Sequence, residues 1–269
     1  MKKIVVKNKK QILIIVVIAL IITSITAFNV YKKMGTYSGL GSAKEYPANQ
    51  YDMSKLYQDE NNFRRYKAFG KKGIPGIDVS AYQGDINWEE VKESGAEFVM
   101  IRLGLRSYED ALLYLDSKFE ENLTGAKEAG LAVGVYFYSQ AVTPEEAIEE
   151  ARFVIRHIRG RGVNLPVAFD MEPAHETDRI SVLSVEEKTQ IADAFCKVIK
   201  RNGYKPVIYG NPHWLTNSID LSYLTDYDLW LANYEESTEF PYDFKMWQYT
   251  ESGVIPGISG YVDLNIYFK

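Results

Sequence analysis

Leu165-Pro166-Val167-Ala168-Phe169-Asp170-Met171-Glu172-Pro173 is an apolar, partly β-branched run that ends in two carboxylates. Its length and composition read as a buried strand. Strand side chains alternate between faces, so Met171 faces one layer while Asp170 and Glu172 share the other. An ionised carboxylate is costly to bury without partners, and a second beside it raises the cost. Like-charge crowding pushes the two pKa values apart, the arrangement that acid–base chemistry exploits.

Outward from this run, strands alternate with helical patterns from Ile74 onward. Strands are predicted over residues 76–81, 98–103, 132–139, 167–172, 206–210, 229–233, 245–249 and 262–268, and helices over 88–94, 117–129, 144–158 and 185–201. Gly95 and Gly130 are stop signals, and Asn202-Gly203 follow the last helix. Thr143-Pro144-Glu145-Glu146 opens the third helix: Thr143 caps it, Pro144 takes the first turn and the glutamates suit the helix dipole. Strands separated by such helices imply a parallel sheet with right-handed crossovers. About 195 residues fall short of the roughly 250 of a full (β/α)₈ barrel, and the last three strands leave no room for long helices. An α/β barrel with helices only in its first half follows, with a doubly wound open sheet as the alternative. No fixed-period repeat is present.

The 269 residues are 46% hydrophobic and 25% charged, ordinary for a chain with a real core. The N-terminus departs from this. Residues 12–30 carry no charge, close to the roughly 20 residues that cross a bilayer. Lys2, Lys3, Lys7, Lys9 and Lys10 precede that run, while only Lys32 and Lys33 follow closely, which keeps the N-terminus cytoplasmic and sends the rest outside. The expected organisation is a basic tail (1–10), a transmembrane signal-anchor (11–30), an extracytoplasmic stalk (31–73) with a short helix around 53–67, and a globular domain (74–269). A cleaved signal peptide ending near Ile25-Thr26-Ala27 is the competing reading and would make the protein secreted; the long run without a small-x-small boundary favours retention. Cys196, the only cysteine, lies on an apolar helical face and fills core.

Residues 1–73 hold 14 Lys+Arg against 4 Asp+Glu, whereas residues 74–269 hold 17 against 32. A domain this acidic has no electrostatic reason to bind nucleic acid or other polyanions. Near an anionic surface it needs a tether, which the N-terminal segment supplies.

In a parallel barrel, reactive groups gather at the C-terminal strand ends. Asp78, Arg102, Tyr136, Tyr138, Asp170, Glu172, Tyr209, Asn211, Trp230, Tyr234, Gln248 and Asp263 fall at or beside such ends. They form a cluster of acids ringed by aromatics. Sugar faces stack on aromatic rings, while carboxylates and amides bind hydroxyls. Glycosidic cleavage needs one protonated carboxyl for the leaving oxygen and one ionised group for the oxocarbenium-like state, and Asp170 and Glu172 can divide those roles. Taken singly, each residue has a plainer reading: a strand-end Asp as a loop cap, a strand Tyr or Trp as packing.

Rival chemistries find less support. Four acids suit a hard cation, yet His157, His175 and His213 form no ligand-spaced pair for a zinc hydrolase or metal-dependent deacetylase. There is no G-x-S-x-G elbow, no P-loop and no G-x-G-x-x-G, so no cofactor is expected and no metal.

Asp78-Val79-Ser80-Ala81-Tyr82-Gln83-Gly84 with Ile86-Asn87-Trp88 resembles the opening of family 25 glycoside hydrolases, the lysozyme-type muramidases. Ala168-Phe169-Asp170-Met171-Glu172, Val207-Ile208-Tyr209-Gly210-Asn211, Leu229-Trp230-Leu231-Ala232-Asn233-Tyr234, Trp247-Gln248-Tyr249 and Val262-Asp263-Leu264-Asn265 resemble its later motifs, in order, over residues 74–269. The resemblance implies a TIM-like (β/α)₅(β)₃ barrel, a monomeric catalytic domain and cleavage of the β-1,4 bond between N-acetylmuramic acid and N-acetylglucosamine in peptidoglycan, without a cofactor. It implies Glu172 as general acid, Asp170 as nucleophile or orienter of the substrate N-acetyl, and Asp78 and Asp263 as supporting acids. Tyr82, Gln83, Arg102, Tyr136, Tyr138, Tyr209, Asn211, Trp230, Tyr234 and Gln248 would line the substrate cleft. Where many members carry Lys-x-Ser/Thr-Glu-Gly, this chain has Arg102-Leu103-Gly104-Leu105-Arg106: the cation is kept and the acid is not. A non-catalytic peptidoglycan-binding module at the membrane is the alternative, and the intact acid set argues against it.

Overall fold

The computed structural model describes residues 37–173, 175 and 177–269. The predicted basic tail and signal-anchor lie outside the described residues. Among the described residues no helix is long and apolar enough to cross a membrane.

The chain runs β1 (Leu56–Gln58), β2 (Arg64–Ala68), β3 (Lys71–Val79), α1 (Trp88–Glu93), β4 (Phe98–Arg106), β5 (Leu113–Leu115), α2 (Phe119–Glu128), β6 (Ala132–Tyr138), α3 (Pro144–Ile158), β7 (Val167–Asp170), α4 (Val185–Arg201), β8 (Pro206–Gly210), α5 (Pro212–Asn217), β9 (Asp228–Ala232), β10 (Met246–Gly253) and β11 (Val262–Phe268). Strands β3, β4, β6, β7, β8, β9, β10 and β11 neighbour one another in that order, and β11 pairs back onto β3, so the sheet closes. All pairings in the ring are parallel except the two made by β11. Five strand–helix units therefore precede three strands without long helices. The open-sheet alternative does not hold.

Helices α3 and α4 occupy the predicted spans, because their caps are written locally. Thr143 accepts the Glu146 N–H with Pro144 in the first turn, and Ser184 forms a capping box with Glu187. Their apolar faces pack on the outward strand residues, as where Phe195 of α4 meets Phe169 at 5.1 Å between ring centroids.

Inside the barrel, Ile74, Phe98, Met100, Ala168, Val207, Tyr209, Trp230, Met246 and Tyr267 form one core. Gly76 and Gly134 make room for it: a Cβ at Gly76 would sit 2.4 Å from the Phe98 ring, and one at Gly134 2.3 Å from the Met100 sulfur. This plug fills the barrel and leaves the polar inward residues above it, at the strand ends.

Two stretches depart from expectation. The helix over 53–67 does not form. A 3-10 turn (Met53–Lys55) is followed by the β1–β2 hairpin, and β2 pairs with the start of β3. Residues 44–68 are also no spacer. Tyr51 packs on Phe244 and Phe268 and donates its hydroxyl to the Phe244 carbonyl, Tyr46 donates to Tyr227 O, and Arg64 lies over the rings of Trp247 and Tyr249. Strands β10 and β11 have no crossover helix, so their apolar outer face needs a cover, and the aromatic residues of this segment provide it. The second departure is at β7, whose ladder ends at Asp170 rather than Glu172. Pro173 has no N–H to continue a ladder and biases Glu172 to extended backbone.

Candidate active site

Asp170 ends β7 inside the barrel mouth and is 8% exposed. Its carbonyl accepts the Ser139 N–H at 2.7 Å, which fixes the strand end, while its Oδ1 has no partner among the described residues. Glu172 follows two residues later, half-buried. Its backbone carbonyl accepts the Tyr138 hydroxyl at 2.7 Å and the Gln140 amide at 3.3 Å. Burial pushes the Glu172 carboxyl up to about 7. Asp170 is held well above the usual carboxylate range, first by burial, then by the charges of Glu172 and Asp78, with Arg102 opposing. The pair therefore retains a proton near neutral pH.

Beneath this pair Asp78 is a hub. Its Oδ2 accepts the Gln248 amide at 2.8 Å and the Asn265 amide at 2.7 Å. Gln248 Oε1 in turn accepts the hydroxyls of Tyr209 (2.8 Å) and Tyr234 (2.9 Å), and Asn265 Oδ1 accepts the Trp230 indole N–H at 2.8 Å. Asp263 stands opposite Asp78 in register and hydrogen-bonds to it. The result is a hydrogen-bonded polar floor to which β3, β8, β9, β10 and β11 all contribute.

Beside the floor, Arg102 donates through Nε to Asp116 at 2.7 Å, with the Asp116 side chain fully enclosed. Asp116 Oδ2 also accepts the Ala81 N–H, which anchors the turn that presents Tyr82. Tyr82 is 85% exposed, and the Arg102 guanidinium lies 5.0 Å from its ring centroid. Tyr136 pairs in register with Arg102 and packs edge-on to Trp230.

Asp78, Asp170, Glu172, Asp263, Arg102, Tyr136, Tyr209, Tyr234 and Gln248 thus gather at one mouth. Four other predicted cleft residues are occupied within the protein. Trp230 is 1% exposed, a core residue between Tyr136 and Tyr209 with no face left for a sugar. Tyr138 spends its hydroxyl on Glu172 O. Gln83 accepts the Ser80 N–H as half of a capping box, and Asn211 caps α5 by accepting the Trp214 N–H at 2.8 Å. These are the plainer readings of such residues.

Asp116 and Gln140 belong to no motif of the sequence, and Asn265 appears there only as the last residue of Val262–Asn265. Asn265 lies two residues from Asp263 on β11, so strand periodicity carries a signal for it, whereas Gln140 lies beyond the end of β6. Asp116 has none: it arrives at Arg102 through the β4–β5 hairpin. Among the described residues no group of three His, Cys, Asp or Glu is arranged to hold a metal ion.

The profile of the glycosyl hydrolases family 25 matches residues 77–258. The autolytic lysozyme of Clostridium acetobutylicum is 29% identical over 193 residues, covering 71% of this chain and 55% of that protein. Lysozyme M1 of Streptomyces globisporus is 30% identical over 207 residues, covering 72% of this chain and 67% of that one. The chain thus spans little more than half the length of the first relative. The crystal structure of the bacterial lysozyme from Streptomyces coelicolor superposes with a TM-score of 0.60 at 25% identity, covering 72% of this chain and 92% of that one.

Proposed function

This chain belongs to glycosyl hydrolases family 25, and we propose that it is a muramidase cutting the β-1,4 bond between N-acetylmuramic acid and N-acetylglucosamine in peptidoglycan. The observation that carries the reading is the Asp170–Glu172 pair at the barrel mouth, whose shared burial keeps a proton available near neutral pH. Glu172, the more open of the two, is the general acid. It gives its proton to the glycosidic oxygen as the C1–O bond breaks. Asp170 is deeper, its Oδ1 has no partner among the described residues, and it suits accepting the acetamido N–H of the N-acetylmuramic acid. That bond would turn the acetyl oxygen toward C1, where it closes an oxazolinium ring as the leaving sugar departs. Water, deprotonated by the Glu172 carboxylate, opens the ring at C1 and returns the proton to Glu172. Exposed Tyr82 and Tyr234 offer aromatic faces at the rim for sugar rings.

Purified cell walls digested with the protein should yield fragments whose new reducing end is N-acetylmuramic acid, read by mass spectrometry. A reducing N-acetylglucosamine would assign a different bond, and wall binding without sugar release would assign a binding module.

The uncharged run of residues 12–30 after five lysines supports a membrane tether that holds this acidic domain on the outer side. Protease added to intact cells should digest the domain while the N-terminus stays cell-bound; release into the medium of a form lacking the N-terminal segment would indicate its cleavage.

A further inference from the structure

The ladder that holds β7 stops at Asp170, and the carbonyl of Glu172 precedes Pro173, so nothing in the sheet fixes the peptide that carries the acid. The end of β6 takes over this task. Tyr138 donates its hydroxyl to Glu172 O at 2.7 Å. Gln140 Nε2 donates to the same oxygen at 3.3 Å and to Tyr138 Oη at 3.2 Å, closing a ring of three hydrogen bonds. Gln140 is fully buried. Its Oε1 has no donor among the described residues, a cost that an apolar side chain of the same shape would avoid. A side chain kept only for packing has no reason to accept that cost.

The segment is itself braced. Ser139 N donates to Asp170 O, and Ser139 Oγ donates to Glu150 Oε2 at 2.7 Å. Glu150, fully buried on α3, accepts Arg106 Nε at 2.8 Å. The carbonyls of Asp170 and Glu172 are therefore both held by residues 138–140, which are tied in turn to α3 and the end of β4.

We propose that Gln140, with Tyr138, is a positioning residue that sets the reach of Glu172 by fixing its peptide plane; this rests on the muramidase reading. Fixing the carbonyl fixes the backbone from which the carboxyl projects, and misplacement of a catalytic group by about 1 Å can cost on the order of 100-fold in rate.

The test is steady-state hydrolysis of purified peptidoglycan by the full chain as wild type, Gln140→Met, Tyr138→Phe and the double variant, each with its thermal midpoint. Gln140→Met is expected to lower kcat about 30-fold with KM within about twofold. Tyr138→Phe, which keeps the ring packing, moves kcat in the same direction and decides the matter if Gln140→Met does not fold. The double variant falls by less than the product of the single losses, since both act on one oxygen. Unchanged kcat in the folded variants, losses confined to KM, or fully multiplicative losses would overturn the positioning role. No sugar release from the wild type would instead overturn the hydrolytic reading beneath it.

Discussion

Asp263 stands directly opposite Asp78 in the antiparallel register of β11 and β3, and their carboxyls hydrogen-bond. Such a bond needs a proton on one of them. Burial and the Asp78 charge push Asp263 up to about 9, so Asp263 carries the proton and donates it. An unfolded Asp titrates near 4. Between about 4 and 9 the folded chain therefore holds an extra proton, and stability, full below that window, is lost as pH rises through it. Asp263→Asn keeps a donor without the proton. Its melting temperature, followed by calorimetry from pH 5 to 9, should fall less than that of the wild type; an equal slope would contradict the assignment.

Gln248 joins Asp78 to Tyr209 and Tyr234. Gln248→Leu removes one donor from a buried carboxyl and the acceptor of two hydroxyls, which should cost about 2 kcal/mol or more in urea unfolding. A loss below about 0.5 kcal/mol would mean that the floor relaxes without strain.

Tyr51 covers Phe244 and Phe268 on the helix-free side of the barrel. Tyr51→Ala should cost about 3 kcal/mol. A chain beginning at residue 74 should lose its cooperative thermal transition, and retention of the full-length midpoint would show that the segment is dispensable.

Glu172 must be protonated to serve as an acid. With its carboxyl near 7, kcat/KM is expected to fall with increasing pH above about 7, by about tenfold per pH unit once past the limb. A profile flat to pH 9 would remove Glu172 from that role.

Much of the barrel was legible because its signals are local. The cap at Thr143 and the run into Asp170 are short-range features, and inward and outward residues alternate with the pleat. The acid set was legible for the same reason, since Asp78, Asp170 and Asp263 sit at strand ends. Tertiary partnership was not. The aromatic residues around Tyr51 read as a polar stalk because nothing local says that β10 and β11 lack a helical cover. Trp230 read as a sugar platform because its sequence position is the same whether its ring faces the mouth or the core. Asp116 reaches Arg102 only through a hairpin, and Glu172 leaves the strand because Pro173 and the side chains of residues 138–140 replace the ladder.

Glu172→Gln tests the central claim most directly, because it keeps the size and the peptide of Glu172 and removes only the transferable proton. Reducing-sugar release from purified peptidoglycan should fall at least about 100-fold, with an unchanged melting temperature and unchanged wall binding. Hydrolysis within about twofold of the wild type by the folded variant would contradict Glu172 as the proton donor and the reading built on it.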